Sequence, residues 1–435
     1  MRQKSSRPKL LTAMLDAFSL PDLRRRILIT IGILVAFRFV CHVPLPGLDA
    51  DKLNTLFQSN ALLGMLDLFS GGAMKQFSVA SMGVYPYITA SIIIILLVPV
   101  IPKLQSLSQE GEAGKNKINL ITHWLTVPLA GLSGYGQLII LQRSGAVSAT
   151  STMLTVTIVL SLIAGTMFLV WLGELITEYG IGNGISIIIF GGIVAGYPSL
   201  IREGFLAKSN AMGLAVYIII VLITVVLIVI FTEAHRRVPV QYARSVFRGG
   251  KMYRQSGTTH IPLRVNSSGM IPLIFSMSIM LFPGIVASYF DTGEGSIAHT
   301  IVIWFSSNTD LPIGAFYWIM YFILSVAFTF FYTIITYQQQ DLPGTLQKQG
   351  GFIPGIRPGK NTATYLSSVI NRITWAGALF LAFVAVMPFL ARTVTNVTQI
   401  QLSSLGMLIV VGVVLDTMKQ LEAQLVMRRY EGFIK

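Results

Sequence analysis

Long apolar runs separated by polar connections set the pattern of this chain. Runs long enough for a hydrocarbon layer, about 20 residues each, lie near 27–45, 77–100, 118–142, 152–173, 183–201, 211–232, 269–290, 312–337, 369–391 and 400–417. They predict ten transmembrane helices. Between the first two, ALLGMLDLFS at 61–70 is apolar but half the length of a crossing, and Gly71 and Gly72 break any helix there. That segment is expected to be a short re-entrant or interfacial helix. Two connections, 233–268 and 338–368, exceed ordinary loop lengths and combine arginine, glycine and proline; loops of that length are usually functional or disordered.

Composition supports the same class. With 53% hydrophobic and 11% charged residues in 435, the chain is a membrane protein rather than a globular one. The single cysteine, Cys41, excludes an intrachain disulfide and any cysteine pair at zinc or redox spacing. The basic N-terminal segment leads into an apolar run that shows no small-residue cleavage site and continues to Arg38, Cys41 and His42, so it reads as a retained first span.

A net charge of +14 must sit in the connections. An even number of crossings returns the C-terminus to the side of the N-terminus. Arg2, Lys4, Arg7, Lys9, Arg24–Arg26, Lys103, Lys115, Lys117, the cluster from Arg236 to Arg264, Lys348, Arg357, Lys360, Lys419, Arg428, Arg429 and Lys435 all fall on that side, which is therefore expected to be cytoplasmic. The connection after the fourth span carries Glu174 and Glu178 and no basic residue, but acidic residues weigh little in the rule. Arg38 costs roughly 3 kcal/mol at a helix centre, against about a dozen apolar residues worth roughly 0.5 kcal/mol each. The first span should insert, with Arg38 snorkelling from its outer end.

Charge and motifs narrow the function classes. GLSG at 131–134 matches the serine motif of intramembrane proteases, but a serine nucleophile needs a nearby base, and the histidines after His123 sit in loops or at span edges. GIGNGIS at 180–186 lacks a P-loop lysine and a βαβ context, and reads as a tight turn into the fifth span. A secondary transporter of a small solute is the stronger alternative, yet it would place acidic or histidine residues mid-membrane. The cores of spans two to ten hold almost none, and Glu174 and Asp416 read as solvated carboxylates at span ends. Seven cationic residues between 236 and 264, interleaved with Tyr242, Phe247 and Tyr253, exceed what topology needs; they suit RNA phosphates or an acidic protein surface.

Taken together, FSGGAMKQFSVASMGVYPYITASIII (69–94), WLGELITEYGIGNGISIIIFGGIVAG (171–196), RVNSSGMIP (264–272) and GIRPG (355–359) resemble the SecY family, the large subunits of the bacterial protein-translocation channel. The resemblance covers nearly the whole chain. It implies an all-α polytopic membrane protein with ten transmembrane helices in two inverted pseudo-symmetric five-helix halves around a central pore. The implied parts are a cytoplasmic N-terminal segment 1–26, an N-terminal half 27–201 with a plug at 61–72, a C-terminal half 211–417 with basic loops 233–268 and 338–368, and a cytoplasmic tail 418–435.

By the same resemblance, Val84, Ile88, Ile185, Ile189, Ile274 and Ile409 match an aliphatic ring that closes the pore. Branched apolar side chains offer a constriction no hydrogen bonds, so water and ions are excluded by dewetting while the ring can deform around a polypeptide. Leu62, Leu63, Met65, Leu66, Leu68 and Phe69 match the plug, with Gly71 and Gly72 as its hinge. Thr89, Asn266 and Phe282 match a lateral gate walled by spans two, three, seven and eight, with Ser133 where some family members carry another polar residue. Arg236, Arg237, Arg244 and Arg357 match the docking site for the ribosome and the SecA motor ATPase.

The implied function is that of the pore-forming subunit of the Sec translocon in the bacterial cytoplasmic (inner) membrane, with no enzymatic chemistry, cofactor or metal. It would pass unfolded preproteins bearing signal sequences and release transmembrane segments sideways. SecE-like and SecG-like small membrane subunits and anionic lipids complete the expected partners.

Overall fold

The structure, a computed structural model, describes residues 20–46, 53, 67, 70–143, 145–147, 151–206, 211–248, 251–290, 295–306, 313–395 and 404–431. Residues 1–19 and the plug positions Leu62, Leu63, Met65, Leu66, Leu68 and Phe69 lie outside the described residues.

Each predicted apolar run overlaps a helix: α1 (Pro21–Val40), α2 (Tyr85–Leu97), α4 (Glu112–Arg143), α5 (Thr152–Tyr179), α6 (Gly184–Leu206), α7 (Ala211–Glu233), α8 (Ile271–Phe290), α10 (Ile313–Gln340), α12 (Lys360–Thr395) and α13 (Ser404–Glu431). Short helices α3 (Pro102–Gln109), α9 (Ile297–Trp304) and α11 (Leu342–Lys348) lie between them. Among the described residues, α4, α5, α7, α8, α10 and α12 are long and apolar enough to cross a membrane, and α2 with α3 makes a seventh if that bent pair is one span. Helix is the form such runs must take, because in hydrocarbon each backbone N–H and C=O has to be satisfied within its own segment. Of the most apolar stretch of α7 only 17% is buried, and Ile218, Ile219, Leu222, Ile223, Val226 and Ile230 face outward. So large an apolar surface suits lipid rather than water, and the chain is a multi-pass membrane protein.

The second span departs from its predicted 77–100. Residues 77–84 form turns in place of helix, with φ of +42° at Phe77 and +54° at Gly83. They join the segment after α1 through Leu45 N to Phe77 O (3.0 Å) and Val79 N to Val43 O (3.0 Å). At the other end Pro99 and Pro102 remove backbone donors, Ile101 before Pro102 is extended, and α3 turns away from α2 by 101°.

Contacts divide the chain into two compact units. The first comprises Met1–Ser209, Leu281–Gly314 and Gln399–Lys435, the second Asn210–Met280 and Ala315–Thr398. In the first, α4 packs on α2 and α5, α5 on α1 and α6, and α13 on α6. In the second, α7 packs on α12, where the rings of Phe231 and Phe380 stack 3.9 Å apart.

The 233–268 connection is not helical, which corrects the all-α expectation to a mostly helical fold. Strands β1 (His235–Arg248) and β2 (Lys251–Arg264) form an antiparallel hairpin, and β3 (Gly351–Phe352) adds to β1 in the order β2-β1-β3. The cause is period-two patterning: Val238, Val240 and Tyr242 share one face, opposite Ile261 and Leu263 on β2. That face packs on Leu346 of α11, on Ile353, and on Leu366 of α12. Gly249 and Gly250, the two intervening residues in the sequence, are the pair a two-residue hairpin turn favours.

Candidate functional site

The basic residues marked in the sequence meet on the second unit. Arg236 and Arg237 are exposed at the base of β1, and Arg244 stands further along it, paired with Gln255 on β2. Arg237 Nε donates to His235 Nε2 at 3.2 Å, and His235 Nδ1 lies 3.0 Å from the Glu233 carbonyl oxygen. An Nδ1–H tautomer satisfies both contacts.

Arg357 follows β3 in a turn fixed by its glycines. Gly355 and Gly359 take φ of +81° and +102°, Ile356 N donates to Ile353 O at 3.0 Å, and Thr362 Oγ1 donates to the Arg357 carbonyl at 3.1 Å. Ile353 is buried beneath the hairpin and Arg357 is exposed. Because β3 is hydrogen-bonded to β1 at Gln241 and Tyr242, the hairpin base and the Arg357 turn form one small platform. Clustered cations on such a surface attract phosphate or carboxylate and speed encounter. Tyr242, weighed in the sequence as an RNA-facing aromatic, instead packs into the platform core against Gly351, and its hydroxyl donates to Gln349 Oε1 at 3.4 Å. A side chain at Gly351 would meet that ring at 2.9 Å.

The aliphatic positions are distributed over both units. Val84, Ile88, Ile189 and Ile409 of the first unit and Ile274 of the second are buried. Ile185 is half-buried, with Cδ1 in the space that a side chain at Gly173 would fill. Of the gate positions, Thr89 Oγ1 donates to Tyr85 O at 3.0 Å, buried Asn266 accepts from Ser268 Oγ at 3.2 Å, and Phe282 is 68% exposed.

At the C-terminal end of the 61–72 segment a polar network appears that the sequence reading missed. Asp67 is buried, and its Oδ1 accepts from Ser70 Oγ (3.0 Å), Met74 N (3.1 Å) and Lys75 N (3.2 Å). Burial pushes the Asp67 carboxyl above the usual carboxylate range, against the opposing pull of Lys75 and the donors. Arg38, expected to snorkel from the outer end of its span, donates from Nη1 to the Gly71 carbonyl at 2.7 Å. Asp67 followed by Ser70 and two glycines is turn chemistry, a signal available in the sequence; the Arg38 contact has none.

A second missed cluster joins three helices of the first unit. His123 Nε2 lies 3.1 Å from Glu174 Oε1, Asn119 Nδ2 donates to the same oxygen at 3.4 Å, and Tyr87 OH donates to Asn119 Oδ1 at 3.1 Å. Glu174 is thus a bridge between α4 and α5 and not merely a solvated span end.

Comparison with known proteins accords with this architecture. The SecY family model matches residues 78–418. The protein translocase subunit SecY of Streptomyces lividans is 40% identical across 98% of this chain and 100% of its own length, and that of Thermotoga maritima is 40% identical across 97% of each. Among solved structures, a SecY protein whose plug domain stabilises the closed translocation channel matches with a TM-score of 0.64 at 16% identity, covering 95% of this chain and 97% of that one. Sec61 of the canine ribosome-channel complex from the endoplasmic reticulum matches with a TM-score of 0.62, also at 16% identity and with the same coverage. The apolar helices, the basic platform and matches over nearly the full length lead to one conclusion: the chain belongs to the SecY family of protein translocase subunits.

Proposed function

We propose that this chain is the pore-forming subunit of a bacterial inner-membrane translocon, crossing ten times in two inverted five-helix halves with both termini in the cytoplasm. The carrying observation is the pairing of buried, branched aliphatic positions with a cation-bearing platform in a chain alike over its whole length to translocase subunits. Val84, Ile88, Ile185, Ile189, Ile274 and Ile409 form the gasket; their chemistry supports this, since a ring without hydrogen-bonding groups dewets. Residues 61–72 form the plug, and Thr89, Asn266 and Phe282 belong to the lateral gate. The outward exposure of Phe282 supports a lipid-facing position there.

Arg236, Arg237, Arg244 and Arg357 dock the ribosome and the SecA motor, and SecE-like and SecG-like subunits and anionic lipids brace the assembly. The ribosome-bound canine relative supports the first of these partners. The chain carries out no chemistry of its own: a motor, translation or the membrane potential moves the client. Photocrosslinking from Ile88 or Ile274 to an arrested preprotein tests the reading. A crosslink is expected in the engaged complex; its absence would favour a carrier of small solutes.

A further inference from the structure

We infer that α9 lies on the membrane as an interfacial foot, its apolar stripe seated at the boundary between lipid headgroups and acyl chains near the end of α8. The foot requires only a multi-pass chain and stands apart from the pore, plug and gate assignments.

The stripe follows from helical spacing. Ile297, Ile301 and Trp304 stand four and three residues apart, so they share one face of α9, while His299 falls on the opposite face. The helix is closed at both ends: Ser296 Oγ accepts from His299 N at 3.0 Å, and Phe305 N donates to Ile301 O at 3.0 Å. Its apolar face is open, with Ile297 82% and Trp304 43% exposed, and none of its eight residues is buried. A helix on a globular protein turns its apolar stripe to the core. The arrangement here is inverted for water and suited to lipid.

Three observations point to lipid as the occupant. The first is continuity with a lipid-facing surface. On α8, Phe282 and Phe290 are exposed two turns apart, and α9 begins six residues beyond Phe290, within a reach of at most about 25 Å. Both neighbours of α9 in the chain, α8 and α10, are long and apolar enough to cross a membrane, so α9 stays close to the layer in which they end. The second is charge: residues 291–312 contain Asp291, Glu294 and Asp310 and no lysine or arginine. Such a connection repels nucleic acid and anionic headgroups, which leaves apolar partition as the force that seats it. The third is Trp304 itself, whose amphipathic ring is of the kind that collects at membrane–water interfaces. The foot therefore fixes the depth at which α8 leaves the bilayer, and it does so on zwitterionic and anionic lipid alike.

The test uses the full-length chain in proteoliposomes of zwitterionic phosphatidylcholine. A nitroxide is attached to Ile297→Cys and, separately, to His299→Cys, with the buried Cys41 removed by Cys41→Ala in both. Dissolved oxygen concentrates in lipid, and a nickel chelate stays in water. The ratio of oxygen to chelate collisions should be several-fold higher for the Ile297→Cys label than for the His299→Cys label. It should hold when part of the lipid is replaced by anionic phosphatidylglycerol. Equal access of the chelate to both labels would put α9 in water and overturn the foot. An Ile297→Cys label shielded from both quenchers would mean that protein covers the stripe, which overturns it as well.

If a labelled variant does not assemble, the parent's own indole reads the same depth. Subtracting the emission of Trp304→Phe isolates Trp304 from Trp124, Trp171, Trp318 and Trp375. That signal should be quenched more strongly by lipid brominated near the headgroup than by lipid brominated near the chain end. The reverse order, or no quenching by either, would overturn the inference.

Discussion

Gly71 and Gly192 meet backbone to backbone: a Cβ at Gly71 would lie 2.6 Å from the Gly192 Cα, and one at Gly192 would lie 2.9 Å from the Gly71 Cα. The turn after the 61–70 segment and helix α6 thus approach as closely as two chains can. The contact fixes where the segment ends, and it makes neighbouring glycines unequal.

Gly71→Ala should be much more damaging than Gly72→Ala. Both positions have positive φ, +67° and +86°, and an alanine in that region costs about 1–2 kcal/mol. At Gly71 the new methyl also collides with α6, and overpacking adds roughly 1–3 kcal/mol, while at Gly72 it enters open space. Thermal unfolding in detergent should rank the parent first, Gly72→Ala next and Gly71→Ala last; equal midpoints for the two variants would show that the close approach carries no weight.

The hairpin predicts a second contrast. Val240 is fully buried beneath the platform and Pro239 is exposed on the opposite face. Val240→Asp places an unpaired carboxylate in that small core at a cost of several kcal/mol, so trypsin should cleave within 235–264 much faster than in the parent. Pro239→Asp should leave cleavage nearly unchanged. Similar digestion of both variants would mean that the buried face does not hold the hairpin down.

Much of this architecture was legible because hydropathy and charge bias act locally: the apolar runs located the helices, and the arginines located the platform. The hairpin is hidden in the sequence because its charges dominate the 233–268 connection, while the alternation that folds it, Val238, Val240, Tyr242, spans only three apolar positions. Span two was drawn too long because hydropathy does not register the constraints imposed by Pro99 and Pro102 or the turn at Gly83. The contacts of Arg38 with Gly71, 33 residues away, and of Asn119 with Glu174, 55 residues away, depend on packing between helices and leave no mark in a single sequence. The insertion cost of Arg38 and its place near a span end say whether and how a span enters the membrane, but not what the side chain touches there.

Arg357→Glu should separate docking from folding. The side chain is exposed on a turn held by Ile353 and by two glycines with positive φ, so reversing its charge disturbs no packing. Surface charge reversals change encounter with a partner more than stability. Motor-driven export from reconstituted vesicles should fall by at least about tenfold, as expected when like charges face each other across an interface, with membrane insertion and thermal midpoint as in the parent. Undiminished export would remove Arg357 from the docking surface.

Ile409 tests the seal itself. It is fully buried in α13, near the buried residues Leu405, Met407 and Leu408, and an asparagine there brings an amide that lacks an evident partner. In an ordinary bundle core the unpaired amide would cost about 1–3 kcal/mol and the effect would be lost stability alone. In a dewetted constriction the same amide gives water a foothold, so Ile409→Asn should raise ion leak and admit clients with weak signal sequences. Ile409→Leu, which keeps the volume and the apolar character, should do neither. Leak and client selection therefore distinguish a gasket from a core position, and a variant that only melts earlier would assign Ile409 to the core.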